Sequence, residues 1–216
     1  MSAVVPDTRS SFAARLKADT AQEHRLAEDT PYVRRLVAGE LGRADYVALA
    51  LQHSVIYQAL EDVGATLAAD PVAGPFLDDR LLRQAAIDHD LRLLVGPDWR
   101  DAVVALPQTE EYVERIRGSA SWPAGYVAHH YTRYLGDLSG GQIVARMLAT
   151  HYGLRPEELT FYAFDGIDKP VQYKRRYHDL LDSADWDADE RDRVVAEVAR
   201  AFRLNAAVFD ALLVRH

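Results

Sequence analysis

The chain contains 216 residues, of which 49% are hydrophobic and 27% charged, with 12 glycines and 9 prolines. This composition is ordinary for a globular protein and excludes disordered and collagen-like chains. The formal net charge of -8 and the lack of a long basic stripe disfavour a nucleic-acid partner. The length predicts a single domain over residues 1–216, of which residues 1–10 are expected to be flexible.

Cysteine is absent, whereas there are eight histidines. The absence of cysteine excludes disulfides, thiolate nucleophiles and iron–sulfur clusters, and it leaves histidine as the expected soft-metal ligand. No apolar run approaches the roughly 18 residues that suggest a membrane span, and the first residues lack the pattern of a signal peptide. The sequence therefore predicts a cytoplasmic protein without a membrane anchor.

Apolar residues recur at helical spacing along the chain, and no alternating strand of useful length appears. The predicted helices cover residues 11–29, 31–40, 44–70, 79–95 and 107–118, a glycine-rich segment that begins at 121–123, and residues 168–182 and 187–214. Gly39 is a candidate helix stop, and Thr109 is a candidate helix cap. The pattern predicts an all-α, single-domain bundle of about eight helices.

The glycine-rich helix contains "YTRYLGDLSGGQIVARML" at residues 131–148, in which Gly136, Gly140 and Gly141 each cost about 1 kcal/mol relative to alanine. Gly136 and Gly140 share one face with Ser139 between them, so this face is nearly bare backbone. It suits either the close packing of another helix or the approach of a flat ligand. Asp137, beside it, is either a solvated side chain or one that holds water over a ligand.

Another candidate site lies on the predicted first helix, where Lys17 and His24 are seven residues apart on one face. The separation along the helix axis is about 10 Å. Glu28 follows one turn later, within reach of the imidazole. A lone histidine in a helix is more often an ordinary surface or core residue. This spacing nevertheless suits a heme whose iron binds His24 and whose propionates extend toward Lys17. Glu28 would then orient the imidazole of His24.

These segments resemble the heme oxygenase family. "AQEHRLAED" at residues 21–29 and "YLGDLSGGQ" at residues 134–142 carry the resemblance, and "FYAFDGI" and "AFRLNAAVFDAL" extend it in the same order over roughly residues 11–214. It implies a heme oxygenase-like fold in which heme b, both substrate and cofactor, lies between the first helix and the glycine-rich helix. It also implies cleavage of heme by dioxygen and electrons from a reductase or ferredoxin, giving biliverdin, ferrous iron and carbon monoxide.

The resemblance also implies roles for individual residues. His24 matches the proximal iron ligand, and Asp137 matches a distal carboxylate that acts through an ordered water molecule. The predicted site consists of the catalytic group Asp137, Arg133, Tyr57, Gly136 and Gly140, and of the heme-binding group Lys17, His24, Glu28, Tyr131, Ser139, Gly141, Lys174 and His178. In this group Lys17, Tyr131 and Lys174 match positions that bind the propionates.

One position departs from the family. His178 stands where relatives often carry an arginine that seats a propionate, and a neutral histidine binds a carboxylate more weakly than arginine does. The α isomer of biliverdin, which the resemblance implies, is still the expected main product. The weaker binding by His178 predicts that the ratio of isomers depends on pH. The basic run Lys174, Arg175 and Arg176 is expected to dock an acidic electron donor.

Other functions remain open at this point. A heme-binding or heme-buffering protein would need His24 and the bare helix, but not Tyr57, Arg133 and Asp137 together. A thiamin-degrading enzyme of related helical fold would need a nucleophilic cysteine, and a ferritin-like di-iron protein would need paired Glu-x-x-His turns. The sequence contains neither feature. Whether the activity serves iron acquisition, heme disposal or bilin supply is left open.

Overall fold

The computed structural model describes residues 11–214, and the expected flexibility of residues 1–10 lies outside the described residues. The α-helices in this range are α1 (Phe12–Asp19), α2 (Ala21–Glu28), α3 (Pro31–Ala38), α4 (Arg43–Thr66), α5 (Gln84–Leu94), α6 (Pro107–Gly118), α7 (Pro123–His130), α8 (Gly136–Tyr152), α9 (Pro170–Ser183) and α10 (Ala188–Leu213). Short 3-10 turns connect several of them, and residues 11–214 contain no strand. The all-α prediction is confirmed, and two of the eight predicted helices each divide in two.

The predicted first helix divides at Thr20, whose backbone has φ -106° and ψ 5° and therefore leaves the α-helical conformation. The Thr20 hydroxyl donates to the Leu16 carbonyl at 2.7 Å, which ties the hydroxyl to the last turn of α1. Lys17 consequently lies on α1 and His24 on α2. The expectation that one continuous helical face carries both residues is wrong, because the chain turns between them.

Local sequence signals predicted one other helix end correctly and one helix start wrongly. Gly39 follows α3 with φ 76°, a left-handed conformation that glycine adopts without strain, as predicted. The prediction that Thr109 caps its helix is wrong. Pro107 opens α6, and the Thr109 hydroxyl instead donates to Gln52 Oε1 at 2.8 Å inside the core.

The C-terminal helix α10 occupies the middle of the bundle and packs against α2, α3, α4, α6 and α7. The Asp187 side chain accepts a hydrogen bond from the Glu190 backbone at 2.7 Å and so caps the start of α10. Buried apolar residues from all ten helices form one continuous core. This arrangement gives α2 and α3 a common support, and α8 packs in turn on α3.

The glycine-rich region differs most from its prediction. A π-helical segment, Tyr131–Leu135, joins α7 to α8 and ends directly before Gly136. Residues 132–135 of this segment are buried. A π-helical turn accommodates an extra residue and so changes the direction in which the following side chains point. The segment therefore sets the rotation of α8.

Within residues 11–214, no helix has both the length and the apolar character needed to cross a membrane.

Candidate active site

An open cleft lies between α2 and α3 on one side and α8 on the other, with α4 and α10 forming its floor. The space between these walls is about 850 Å³ and includes solvent at the mouth. The lining residues are His24, Ala27, Glu28, Val33, Leu36, Val37, Leu49, His53, Thr132, Arg133, Gly136, Asp137, Gly140, Gly141, Val144, Tyr162, Phe202, Asn205 and Phe209. An apolar cleft with a few convergent polar groups is typical of a small-molecule site.

The α2 wall presents His24, whose side chain is 45% exposed. Its imidazole packs edge-on against the Phe202 ring, with 5.0 Å between ring centroids. Glu28 Oε1 lies 3.5 Å from Nε2 of the same imidazole, as expected for residues one turn apart. One ring nitrogen is thus directed at a carboxylate, which leaves the other for a ligand.

The opposite wall is the bare face of α8. A Cβ atom added to Gly136 or to Gly140 would meet no other group within 4 Å, so both glycines face open space. Gly141 is different, because a Cβ there would lie 2.9 Å from Cδ1 of the buried Tyr162 ring. Two of the three glycines therefore widen the cleft, whereas the third lets α8 approach Tyr162.

Asp137 lies beside this bare face, and its side chain is 18% exposed. The Tyr57 hydroxyl donates a hydrogen bond to Asp137 Oδ2, and Arg133 Nη2 lies 4.0 Å from the same oxygen. Burial removes water from the carboxyl and raises its pKa well above the ordinary value. The structure thus brings together Tyr57, Arg133 and Asp137 of the predicted catalytic group.

Arg133 forms part of the cleft floor and is buried in the π-helical segment. Its Nη1 donates to Asn205 Oδ1 at 2.6 Å, and its guanidinium carbon lies 4.9 Å from the Tyr57 ring centroid. Burial lowers its pKa. Among the described residues, Nε and Nη2 have no hydrogen-bond partner. Buried N–H donors of this kind usually bind water or a ligand.

The predicted propionate-binding residues do not line the cleft itself. Lys174 Nζ donates to Ser139 Oγ at 3.1 Å, which links α9 to the exposed side of α8. Burial lowers the pKa of His178, and the positive charges of Lys17 and Lys174 lower it further. These cations from α1 and α9 are therefore close enough to interact. Tyr131 is partly buried, with its ring centroid 6.2 Å from that of Tyr177.

Sequence reasoning missed two polar residues of the cleft. Asn205 lies on the last helix and was not a predicted site residue, yet it accepts a hydrogen bond from Arg133 and orients it. His53 is buried in α4 one turn before Tyr57, and its Nε2 has no partner among the described residues. The four-residue spacing to Tyr57 was a usable signal for His53, since it places both on one helix face.

The fold and the cleft define an all-α protein with an imidazole on one wall and a bare helix and a partly buried carboxyl opposite. A sequence model of the family described as heme oxygenase matches residues 10–211. Heme oxygenase 1 of Nostoc sp. is 33% identical over 205 residues, covering 94% of this chain and 86% of the relative. Heme oxygenase 1 of Gallus gallus is 34% identical over 201 residues, covering 91% and 68%.

Comparison with solved structures points to the same family. Heme oxygenase-1 of Synechocystis sp., determined in complex with heme, superposes with a TM-score of 0.90 at 30% identity, covering 94% of this chain and 92% of that one. A TenA homologue from P. horikoshii has a TM-score of 0.73 at 12% identity, which shows likeness of fold alone. The chain belongs to the heme oxygenase family. It is therefore an oxidoreductase enzyme of heme degradation.

Proposed function

We propose that this enzyme binds heme b in the cleft between α2 and α8 and cleaves it with dioxygen to biliverdin, ferrous iron and carbon monoxide. One observation carries the proposal: His24 stands on one wall, and Gly136 and Gly140 leave open space on the other beside the partly buried Asp137. A flat macrocycle needs a gap of this kind, and side chains at the glycine positions would fill it.

The residues present fit heme. His24 would bind the iron through one ring nitrogen, and Glu28, 3.5 Å from Nε2, would orient the ring through the other. The apolar side chains of Leu49, Phe202 and Phe209 suit the face and edges of a porphyrin. Bound heme supplies the iron that binds and activates dioxygen beside the ring.

The distal residues handle protons and water. Because burial raises its pKa, the Asp137 carboxyl can hold a proton at an oxygen atom and pass it to a neighbouring water molecule. The Tyr57 hydroxyl donates to Oδ2 and fixes the orientation of the carboxyl. The unpartnered Nε and Nη2 of Arg133 supply donors for ordered water in the same part of the cleft.

Cations near the cleft suit the carboxylates of heme. Lys17, Lys174 and His178 come from two helices, and Tyr131 adds a hydroxyl. We assign the propionates to this group, with the α isomer of biliverdin as the main product. Because Gly136 and Gly140 face open space, the α8 backbone would be free to contact a bound ring and so to limit access to its edges.

Electrons come from an external reductase or ferredoxin in this proposal. Arg175 and Arg176 are exposed on α9, next to Lys174. Their side chains form a local positive patch on a chain whose formal net charge is -8. Such a patch attracts an acidic partner and orients it by electrostatic complementarity.

The direct test adds hemin to the purified protein, then a ferredoxin, its reductase and NADPH in air, while the visible spectrum is followed. Loss of the Soret band with formation of biliverdin and ferrous iron is the expected result. Bound heme that persists without product through repeated reduction in air would identify a heme-buffering protein instead. Failure of heme to bind would overturn the proposal entirely.

A further inference from the structure

His53 is a buried histidine for which the proposed chemistry has no use so far. It lies on α4 and is 6% exposed. Its ring centroid is 6.2 Å from that of Tyr57 and 5.2 Å from that of Phe161. Its Nε2 has no hydrogen-bond partner among residues 11–214, although a buried polar atom without a partner is costly. Each such atom in a folded protein calls for a physical reason.

The surroundings of His53 supply that reason. His53 lines the cleft, and it also lines a small, partly enclosed cavity on the side of α5, together with Tyr46 and Asp90. The centre of a water molecule has about 10 Å³ available there, which is room for one water. Three of the cavity's lining residues carry polar groups, and a buried water molecule needs two to four polar partners. His53 therefore stands between a one-water cavity and the cleft.

Asp90 determines how such a water molecule would be oriented. The Thr160 backbone and hydroxyl donate to its Oδ1 at 2.9 Å and 2.5 Å, and the Phe161 backbone donates to its Oδ2 at 2.8 Å. With three donors directed at it, the carboxylate acts as an acceptor and takes a hydrogen from the water. The water then offers its lone pairs to His53, which favours the imidazole tautomer with hydrogen on Nε2.

The charged and titratable groups around His53 come from every element packed on it. Asp90 lies on α5, Arg133 on the π-helical segment, Asp137 on α8 and Tyr162 on a 3-10 turn, whereas Tyr46 and Tyr57 share α4. Burial lowers the pKa of His53 well below the ordinary value, and the Arg133 charge acts in the same direction. The imidazole is therefore neutral at physiological pH, with one donor and one acceptor nitrogen.

We propose that His53 is a positioning residue of the active site: a buried water shared with Asp90 holds its Nε2, and its unprotonated nitrogen orders water in the cleft beside Arg133 and Asp137. The Arg133 donors and the His53 acceptor are complementary partners for one water molecule. The effect on turnover rests on the proposed function. The tautomer and the buried water do not.

The first experiment uses the heme-free protein. Side-chain ¹H–¹⁵N correlation spectra should show His53 neutral with hydrogen on Nε2 from pH 5.5 to 8, and a high-resolution crystal structure should show a water molecule between Nε2 and Asp90. Protonation of His53 near pH 6.5, hydrogen on Nδ1, or a dry cavity would each overturn the proposal, whether or not the protein degrades heme.

The second experiment compares His53→Leu and His53→Gln with a control, His151→Leu, which alters an exposed histidine near the end of α8. In His53→Leu, kcat should fall about fivefold, the factor that corresponds to one lost hydrogen bond, with heme affinity unchanged. The pKa of Asp137 in the heme-free protein, followed by the ¹³C signal of its carboxyl group, should shift as well. His53→Gln, which keeps a donor and an acceptor, should recover most of kcat, and His151→Leu should match the parent.

Unchanged kcat and an unchanged Asp137 titration in folded His53→Leu would overturn the positioning role. If the parent also fails to degrade heme, the proposed function has failed, and the heme-free measurements still decide the inference about His53.

Discussion

At the scale of single residues, the chemistry depends on how much water each ionisable group retains. Asp137 is held by Tyr57 in a cleft wall, and burial raises its pKa. Asp78 contrasts with it, because the hydrogen bonds from Arg80 lower the pKa of that carboxyl. Two aspartates of one chain thus differ in proton affinity because one is desolvated and the other is paired with a cation.

Replacing Asp137 by asparagine should stabilise the heme-free protein at pH 8. A carboxyl whose folded-state pKa is raised binds its proton more tightly in the folded state, so the parent loses stability as pH rises from its unfolded pKa toward its folded one. In urea unfolding, Asp137→Asn should therefore have a larger free energy of unfolding than the parent at pH 8, and this difference should vanish near pH 4. A variant less stable than the parent at pH 8 would show that attraction to Arg133 outweighs desolvation. With heme, the variant should bind it but make no biliverdin.

Replacing His24 by alanine removes the only side chain of the α2 wall that this proposal assigns to the iron. The heme complex of His24→Ala should lose its histidine-type spectrum and its turnover together, and added imidazole should restore both in part. The matched control is His89→Ala, which alters an exposed histidine outside the cleft. An unaltered spectrum in His24→Ala would assign the axial bond to another residue.

His178 should make the product ratio depend on pH. Burial and the nearby charges of Lys17 and Lys174 lower its pKa, so His178 is neutral over more of the physiological range than an ordinary histidine. As pH falls, protonation should strengthen its hold on a propionate and favour a single isomer. Chromatography of the products between pH 6 and 8 tests this, with His178→Arg as the comparison that should remove the pH dependence. A constant ratio in the parent would exclude His178 as a determinant.

At the scale of elements, α8 and the π-helical segment before it position the active site. The Ser139 hydroxyl donates to the Leu135 carbonyl at 2.6 Å, across the junction between the two elements. Hydroxyl bonds of this kind to the previous helical turn often accompany a bend. The junction therefore gives α8 a direction in which Gly136 and Gly140 face the cleft and Gly141 faces Tyr162.

Alanine substitutions separate the roles of the glycines. Gly140→Ala should raise the free energy of unfolding of the heme-free protein by about 0.5–1 kcal/mol, because alanine favours the helix and its methyl group meets open space. The same methyl should weaken heme binding. Gly141→Ala should instead lower stability, since its Cβ would lie 2.9 Å from the Tyr162 ring. Denaturant unfolding and heme titration measure both, and a destabilised Gly140→Ala would contradict an open face.

At the scale of the whole molecule, the distribution of charge matters more than its sum. The formal net charge is -8, yet α9 carries three consecutive basic residues, Lys174, Arg175 and Arg176. Surface charges interact over about 8 Å at physiological ionic strength. An acidic partner therefore responds to the local patch at short range, and the overall negative charge opposes its approach elsewhere.

Reversing two charges of the patch should slow electron delivery. Arg175→Glu combined with Arg176→Glu is expected to reduce the rate of heme reduction by ferredoxin at low salt, with a smaller difference at high salt because ions screen the interaction. Arg117→Glu, an exposed position on α6, is the control for a change of charge elsewhere. Stopped-flow absorbance measures the rate, and equal rates in all three proteins at low salt would remove the docking proposal.

The sequence was sufficient to predict the structure of segments whose conformation depends on a few neighbouring residues. Apolar spacing predicted α3, α4, α9 and α10, and Gly39 predicted the end of α3. The four-residue spacing of His24 and Glu28 also predicted their proximity. The sequence-based prediction of helices failed at Thr20 and in the π-helical segment. Residues with ordinary helical propensity occupy both places, so the local pattern contained no sign of a break.

The sequence by itself determined an all-α chain, the helices that carry Tyr57, Lys174 and His178, and the bare face of α8, because backbone hydrogen bonding and side-chain spacing act over a few residues. Only the tertiary structure decided that Tyr57 and Asp137, 80 positions apart, share a hydrogen bond, and that Arg133 is oriented by Asn205. It also decided that Gly141 serves packing rather than open space. These outcomes depend on how the helices bury their apolar faces together, and burial is a property of the whole core.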